Sequence, residues 1–408
     1  MPRTANPYRV YLFLSFVSSA LFAAAFPMSL FETATAGLDP LQLVLVGTVL
    51  ELSVLLFEVP TGVVADVFSR RLSVIIGHGM IGLGLILESF FPFFLPILLA
   101  QVVWGVGYTF TSGATQAWLS DEIGEERANR AFLAANRYGL AGAVVGVLAA
   151  TSLGSFTSIA VPIRAAGAGR LVLAALLAFL MTEQGFRPAR PEDRNTFQHM
   201  ADTFQRGVQA FRLRPALMTV LGVGLFYGLY SEGFDRLWIK HLLSRFDLPV
   251  LFGNNELAFF GVLRIAGLLL SIWLTHQVER RFGTGQPGTI GRLMLGITAG
   301  IVVSLLAFAW SPFLGLTLGV YLAIGSLRDV AEPLMTAWVN QRLDPEVRAT
   351  VLSMTGQVDA VGQIAAGPAA GAIGKVVSVP LALSLCSGLL APAVGLIRLA
   401  NRQSSARD

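Results

Sequence analysis

The sequence predicts an all-α membrane protein of twelve transmembrane helices, and three observations carry that reading. Hydrophobic residues fill 54% and charged residues 13% of the 408 positions, a balance that no water-facing surface of this size tolerates, so the surplus faces lipid. Apolar runs of about 20 residues, the length that crosses a hydrocarbon core of about 30 Å, follow one another almost back to back. A single long polar stretch, 183–214, interrupts the succession.

The runs place spans at 9–31, 41–65, 72–91, 93–118, 131–153 and 160–182, then at 215–238, 254–276, 290–309, 313–339, 349–373 and 379–400. The first has the outline of a signal peptide, with Arg3 and Arg9 ahead of Ala23, Ala24 and Ala25. It continues to Phe31 and eleven spans follow, so it reads as a retained helix. The polar stretch holds Arg187, Pro188, Arg190, Pro191, Arg194, Arg206, Arg212 and Arg214. Within it Phe197, Met200, Ala201, Phe204, Val208 and Phe211 recur at helical spacing, which predicts an amphipathic helix on the membrane surface. The chain thus divides into a six-helix bundle at 1–182, a cytoplasmic linker at 183–214, and a second six-helix bundle with a short cytoplasmic tail at 215–408.

Basic residues orient the spans. With the amino terminus inside, Arg70, Arg71, Arg127, Arg130, Arg280, Arg281, Arg342 and Arg348 fall in cytoplasmic segments, and only Lys240, Arg245 and Lys375 fall outside. That asymmetry follows the positive-inside rule and puts both termini in the cytoplasm. The pI near 9.5 therefore reports topology and implies no nucleic-acid partner. All but two of the 29 basic residues are Arg, the codon bias of a GC-rich bacterium, so the expected location is a bacterial inner membrane. Cys386 is the one cysteine, which excludes an intrachain disulfide or a cysteine-cluster metal site.

An internal repeat supports two related halves. Ala117-Trp118-Leu119 followed by Arg127-Ala128 reappears as Ala337-Trp338-Val339 followed by Arg348-Ala349, and Gly146 has its counterpart in Gly367. Spans 4 and 5 then correspond to spans 10 and 11, the parallel-repeat arrangement that places a substrate site at the repeat interface near the bilayer midplane.

The most specific local signal is Gly62-Val63-Val64-Ala65-Asp66-Val67-Phe68-Ser69-Arg70-Arg71, between spans 2 and 3. It resembles the loop signature of the major facilitator superfamily: glycine, two residues, alanine, aspartate, then a basic pair. The preceding Phe57-Glu58-Val59-Pro60-Thr61 is similar to the second span of the drug-efflux members. Val64, Val67 and Ser69 depart from the signature. The resemblance implies the major facilitator fold, two six-helix bundles related by a pseudo-two-fold axis, and a cytoplasmic latch of Gly62, Asp66, Arg70 and Arg71 whose partner is span 11 near Arg348 and Ala349. The physical logic stands beside it. Gly62 permits close helix approach, and Asp66 pairs with Arg70 or Arg71 or sits at a helix amino terminus. Glu279-Arg280-Arg281-Phe282-Gly283 is a weaker counterpart after span 8.

Ionisable residues inside spans are costly unless paired or facing water. Glu51, Glu58, Asp329 and Asp359, with Glu332 nearer the cytoplasm, face Arg137, Arg264 and Arg328 as charge partners. Carboxylates outnumber guanidiniums, so pairing leaves an acid over, and these five acids are the candidates for proton coupling. Glu51, Glu58 and Gly62 share one face of span 2. The family architecture places Asp359 of span 11 against that helix, and a neighbouring arginine such as Arg264 can restore its charged form. Glu32, Glu232, Asp235 and Arg236 lie toward the outer end as a gate or vestibule. Arg170 and His78 read as packing residues. Gln101, Trp104, Tyr108 and Ser112 in span 4 and Phe226, Tyr227 and Tyr230 in span 7 mix rings with hydrogen-bonding groups, a lining for an amphipathic organic ligand.

No enzyme signature is present. Gly374-Lys375 lacks a phosphate-loop context, and no histidine pair has metal-site spacing. No cofactor is expected, and a proton gradient is the expected energy source. The resemblance points to proton-coupled efflux of a small amphipathic or drug-like compound by a monomer. Solute uptake by symport or facilitation stays open, as does, more remotely, a non-transporting receptor or scaffold.

Overall fold

A computed structural model describes residues 6–188, 215–251, 253, 255–282, 287–340 and 345–405. All the secondary structure among them is helical. The first span is α1 (Pro7–Ala24), continued by the short α2 (Met28–Leu30) and a π-helical turn at Phe31–Thr35. Then come α3 (Pro40–Val67), α4 (Arg70–Phe90), α5 (Phe94–Thr111), α6 (Ala114–Ile123), α7 (Glu125–Phe156) and α8 (Ala160–Leu180). After the linker follow α9 (Pro215–Arg245), α10 (Leu257–Phe282), α11 (Pro287–Trp310), α12 (Leu314–Asn340), α13 (Pro345–Val376) and α14 (Val379–Ser405). Joining α1 to the π turn and α5 to α6 gives twelve spans. Ten are long and apolar enough to cross a membrane; the other two are α9 and α13. The surface helix expected at 197–211 lies outside the described residues.

Local chemistry sets the helix starts. Asn6 caps α1, accepting the Tyr8 N–H at 3.0 Å ahead of Pro7 at the first helical position, a place where the missing proline N–H costs nothing. Asp39 and Gln42 form a reciprocal capping box at the start of α3, each side chain accepting the other's N–H at 3.0 Å. Ser69 accepts the Leu72 N–H at 2.9 Å to start α4. Gly113, with φ of 70°, separates α5 from α6 and bends the fourth span, a conformation that side chains with a Cβ rarely adopt. The helices run past the expected hydrocarbon spans, as α9 does to Arg245, because their hydrogen bonding continues into the interface.

The described residues form two compact units. One comprises Met1–Leu38, Val49–Met200 and Leu248–Gly261; the other comprises Asp39–Thr48, Ala201–Asp247 and Val262–Asp408. In the first, α1 packs on α7, and α4 packs on α5 and α8. Its core gathers Tyr11, Leu14, Val74, Trp118, Leu119 and Leu177, and the Trp118 indole donates to the Thr182 carbonyl at 2.6 Å. In the second, α9 packs on α13 and α14, and α11 packs on α12 and α14. Trp338 is fully buried there as Trp118 is in the first, so the repeated Ala-Trp pair anchors each core. The opening residues of α3 belong to the second unit and those of α10 to the first.

At Gly228 the backbones of α9 and α13 meet: a Cβ there would overlap the Asp359 carbonyl oxygen. Gly228→Ala is expected to destabilise the protein by about 1–3 kcal/mol, the usual cost of overpacking. Thermal unfolding in detergent checks this, with Gly356→Ala, where no described atom lies within 4 Å of the new Cβ, as the tolerated control.

Candidate functional site

The turn between α3 and α4 is built around Arg70. One of its terminal nitrogens lies 3.7 Å from Asp66, and the other donates to Asp121 at 2.5 Å and to the Ala117 carbonyl at 3.0 Å. One guanidinium therefore ties α3, α4 and α6 together, with the charge-assisted bond to Asp121 the stronger contact. Arg71 turns away from Asp66: its guanidinium donates to the Ala178 carbonyl, and its N–H donates to Glu183 at 2.9 Å. Ser69 donates to the same carboxylate at 2.6 Å. Glu122 accepts the Thr182 hydroxyl at 2.5 Å and the N–H groups of Gln184 and Gly185 at 2.6 and 2.7 Å. The loop is thus joined to the segment leaving α8. Gly62 has no described atom within 4 Å of where a Cβ would sit. The expected partners Arg348 and Ala349 lie among residues whose side chains are not described.

In the first unit Glu51 is half-buried and Glu58 exposed on α3, and Tyr108 on α5 lies within electrostatic reach of both. Arg137 is exposed on α7. Exposed charges at these depths must meet water rather than hydrocarbon. The four ligand candidates of the fourth span do not share one surface. Tyr108 and Ser112 are exposed, Trp104 packs against the Met28, Phe31 and Ile81 cluster, and Gln101 is fully buried, donating to Glu88 on α4 at 2.8 Å. Arg170 and His78 are packed as expected, 2.8 Å apart in the core, with Arg170 also donating to Ser18 at 3.1 Å.

The second unit holds the denser polar network. Arg328 on α12 grips Asp235 on α9 through two hydrogen bonds, one at 2.8 Å, and its guanidinium lies 5.8 Å from the centre of the Tyr230 ring. Asp359 accepts the Gln363 amide one turn along α13 at 2.8 Å and lies within electrostatic reach of Arg328. Arg264 lies within electrostatic reach of Tyr321. The Tyr227 hydroxyl shares a hydrogen bond with Thr298 at 2.8 Å, and its ring meets Tyr230 edge-on at 5.9 Å. Phe226 is half-buried, and Asp329 and Glu332 are exposed on α12. Glu51 and Glu58 belong to the first unit and Asp359 to the second. Among the described residues, no group of three or more His, Cys, Asp or Glu is placed to hold a metal ion.

In the second unit, the buried Glu232 pairs with the partly buried Arg236 at 3.0 Å. Lys375, near the end of α13, pairs with Asp39 ahead of α3 at 2.9 Å. Burial pushes the Asp39 carboxyl up, but the Gln42 N–H, the Lys375 ammonium and the Leu41 N–H outweigh it and hold the group below the ordinary aspartate range. A carboxylate held low when folded adds stability above its unfolded pKa, near 3.9, and loses it as pH falls through the folded value. Both side chains are partly exposed, so screening keeps the pair to about 0.2–1 kcal/mol. Asp39→Asn is therefore expected to lower the melting temperature slightly at neutral pH, with the gap to the parent protein closing only in strong acid.

The chain combines twelve helical spans, exposed charges within them, and an Asp-Arg turn braced by a third helix. The family profile described as Major Facilitator Superfamily matches residues 10–367. The chain belongs to the major facilitator superfamily. Its fold is the twelve-helix, all-α architecture expected from the sequence, and the protein is a multi-pass membrane transporter. The MFS-type transporter YxaM of Bacillus subtilis (strain 168) is 24% identical over 336 residues, 81% of this chain and 79% of that protein. Among solved structures, a variant of the nucleoside transporter NupG superposes with a TM-score of 0.76 at 14% identity, covering 97% of this chain and 100% of that one. An inward-facing bacterial homologue of the human lysosomal transporter Spinster gives 0.73 at 13% identity, with 98% of both chains covered. Likeness at these identities shows the superfamily fold alone.

Proposed function

We propose that this superfamily member is a secondary active transporter that works by alternating access and couples proton entry to the efflux of a small amphipathic compound. The observation that carries the reading is the set of ionisable residues exposed inside spans: Glu58 and Arg137 in one unit, Arg264 and Asp329 in the other. Such groups are retained in a membrane where solute or protons pass. Asp359, beside Gln363 and within reach of Arg328, is the coupling residue of first choice; Glu51, Glu58, Asp329 and Glu332 are the others. The aromatic residues of α9 supply the apolar part of the ligand surface. The working form is a monomer in a bacterial inner membrane, both termini in the cytoplasm and no cofactor bound.

Everted membrane vesicles acidified inside by respiration test this. Adding a panel of amphipathic aromatic compounds is expected to release luminal protons with at least one of them, in step with its accumulation. Proton movement of the opposite sign establishes symport and uptake; no movement of protons or compound with any panel member overturns the transport coupling.

A further inference from the structure

The second unit carries a ligand surface that the span-by-span reading of the sequence does not anticipate. Trp238 of α9 and Tyr321 of α12 stack at 4.3 Å with an interplanar angle of 22°. One turn before Trp238 is Asp235 and two turns beyond Tyr321 is Arg328, so the same helix faces that form the stack also present the bidentate ion pair. This pair is not sealed: 30% of the Arg328 side chain and 43% of the Asp235 side chain are accessible. Arg328 lies about 20 Å from either end of α12 at 1.5 Å per residue, so the opening leads to water within the membrane rather than to lipid.

The chemistry left over on the pair defines what it recognises. Two guanidinium nitrogens are engaged with Asp235, which leaves the outer N–H groups of Arg328 as donors and the outer lone pairs of Asp235 as acceptors. Donor and acceptor lie side by side with no net charge. Around Tyr321 the charges also balance, with Arg264 and Arg328 against Asp235 and Asp329. Beneath the pair, the Tyr230 side chain is 1% exposed, and its hydroxyl has no hydrogen-bond partner among the described residues. That hydroxyl lies within electrostatic reach of Arg328, Asp235 and Asp359.

We propose that Asp235, Arg328, Trp238 and Tyr321 form a binding site for an uncharged planar ring with a donor and an acceptor on one edge, the ring lying against the aromatic pair and the edge meeting the ion pair. The proposal rests on the transport reading above and narrows its substrate class.

Three probes of one ring system test it on the purified full-length protein in lipid nanodiscs, with binding measured calorimetrically: uncharged 2-quinolinone, cationic N-methylquinolinium and anionic quinoline-2-carboxylate. The parent protein is expected to bind 2-quinolinone most tightly. Asp235→Asn leaves Arg328 uncompensated and is expected to move the preference to the carboxylate by about tenfold, the scale of one charge-assisted contact. Arg328→Gln is expected to move it to the quinolinium. The double variant Asp235→Asn/Arg328→Gln restores neutrality and returns the preference to 2-quinolinone at lower affinity. Trp238→Ala weakens all three alike. A parent preference for either ion, failure to bind any probe, or single variants that keep the parent ranking overturn the site. Should a single variant fail to insert, the double variant and Trp238→Ala decide. Binding that follows this pattern without any movement of 2-quinolinone across vesicles contradicts the transport reading and leaves the site standing.

Discussion

Asp359→Asn is expected to abolish proton-driven movement of the transported compound while leaving its binding, and its downhill exchange across the membrane, intact. The substitution keeps the shape and one hydrogen-bonding oxygen for the Gln363 amide, so α13 keeps its place against Gly228 on α9. What it removes is the exchangeable proton. A coupling carboxylate must change its protonation as its surroundings alternate between water and a neighbouring cation, and Arg328 is the cation within reach. A transporter without that group still cycles but no longer ties the cycle to the gradient. Loss of accumulation in energised vesicles together with retained counterflow is the expected pair of results. Full accumulation by Asp359→Asn makes this residue structural and moves the search to Asp329 and Glu332, then to Glu51 and Glu58.

The second large effect concerns the turn between α3 and α4. Asp66→Asn is expected to depress transport sharply at near-normal expression, because Asp66 is the weaker of the two acids on Arg70. At 3.7 Å it adds little to the anchoring that Asp121 provides at 2.5 Å and the Ala117 carbonyl at 3.0 Å. Its removal is expected to leave the first unit folded and to take away a charge available for the latch that the signature turn implies. Asp121→Asn is expected to behave differently, lowering thermal stability as well as transport, since it leaves the guanidinium of Arg70 without its closest counter-charge. Measured side by side, equal stability losses in both variants, or unchanged transport in Asp66→Asn, return the turn to a role in topology only.

What the sequence made legible, and what it did not, divides along a physical line. The spans follow from apolar runs, since each must cover the same hydrocarbon thickness, and Trp118 and Trp338 share a burial because the repeat keeps their helix context. The pairing of Asp66 with Arg70 was legible because four residues on a helix bring side chains together. Pairs between helices were not. Asp235 and Arg328 lie 93 residues apart, and their meeting depends on the rotation and depth of α9 and α12, which no spacing encodes. For the same reason the sequence did not single out Arg328 as a cation within reach of Asp359. Gln101 shows the converse limit. Its spacing with Trp104 and Tyr108 suggested one ligand face, yet Glu88 on the neighbouring helix covers it. Glu183, which ties the segment leaving α8 to the signature turn, and Glu122, which ties the same segment to α6, carried one signal in the sequence, two acids at the ends of spans otherwise flanked by arginines.

Alternating access is the claim on which the rest depends, and a distance measurement tests it most directly. Spin labels placed at Phe68, just beyond α3, and near the start of α13 report the separation of these ends of the second and eleventh spans. Double electron–electron resonance on the protein in nanodiscs is expected to show two separations, with their ratio shifted by the transported compound and by Asp66→Asn. One separation, unchanged by ligand, by acidification or by that substitution, contradicts the account.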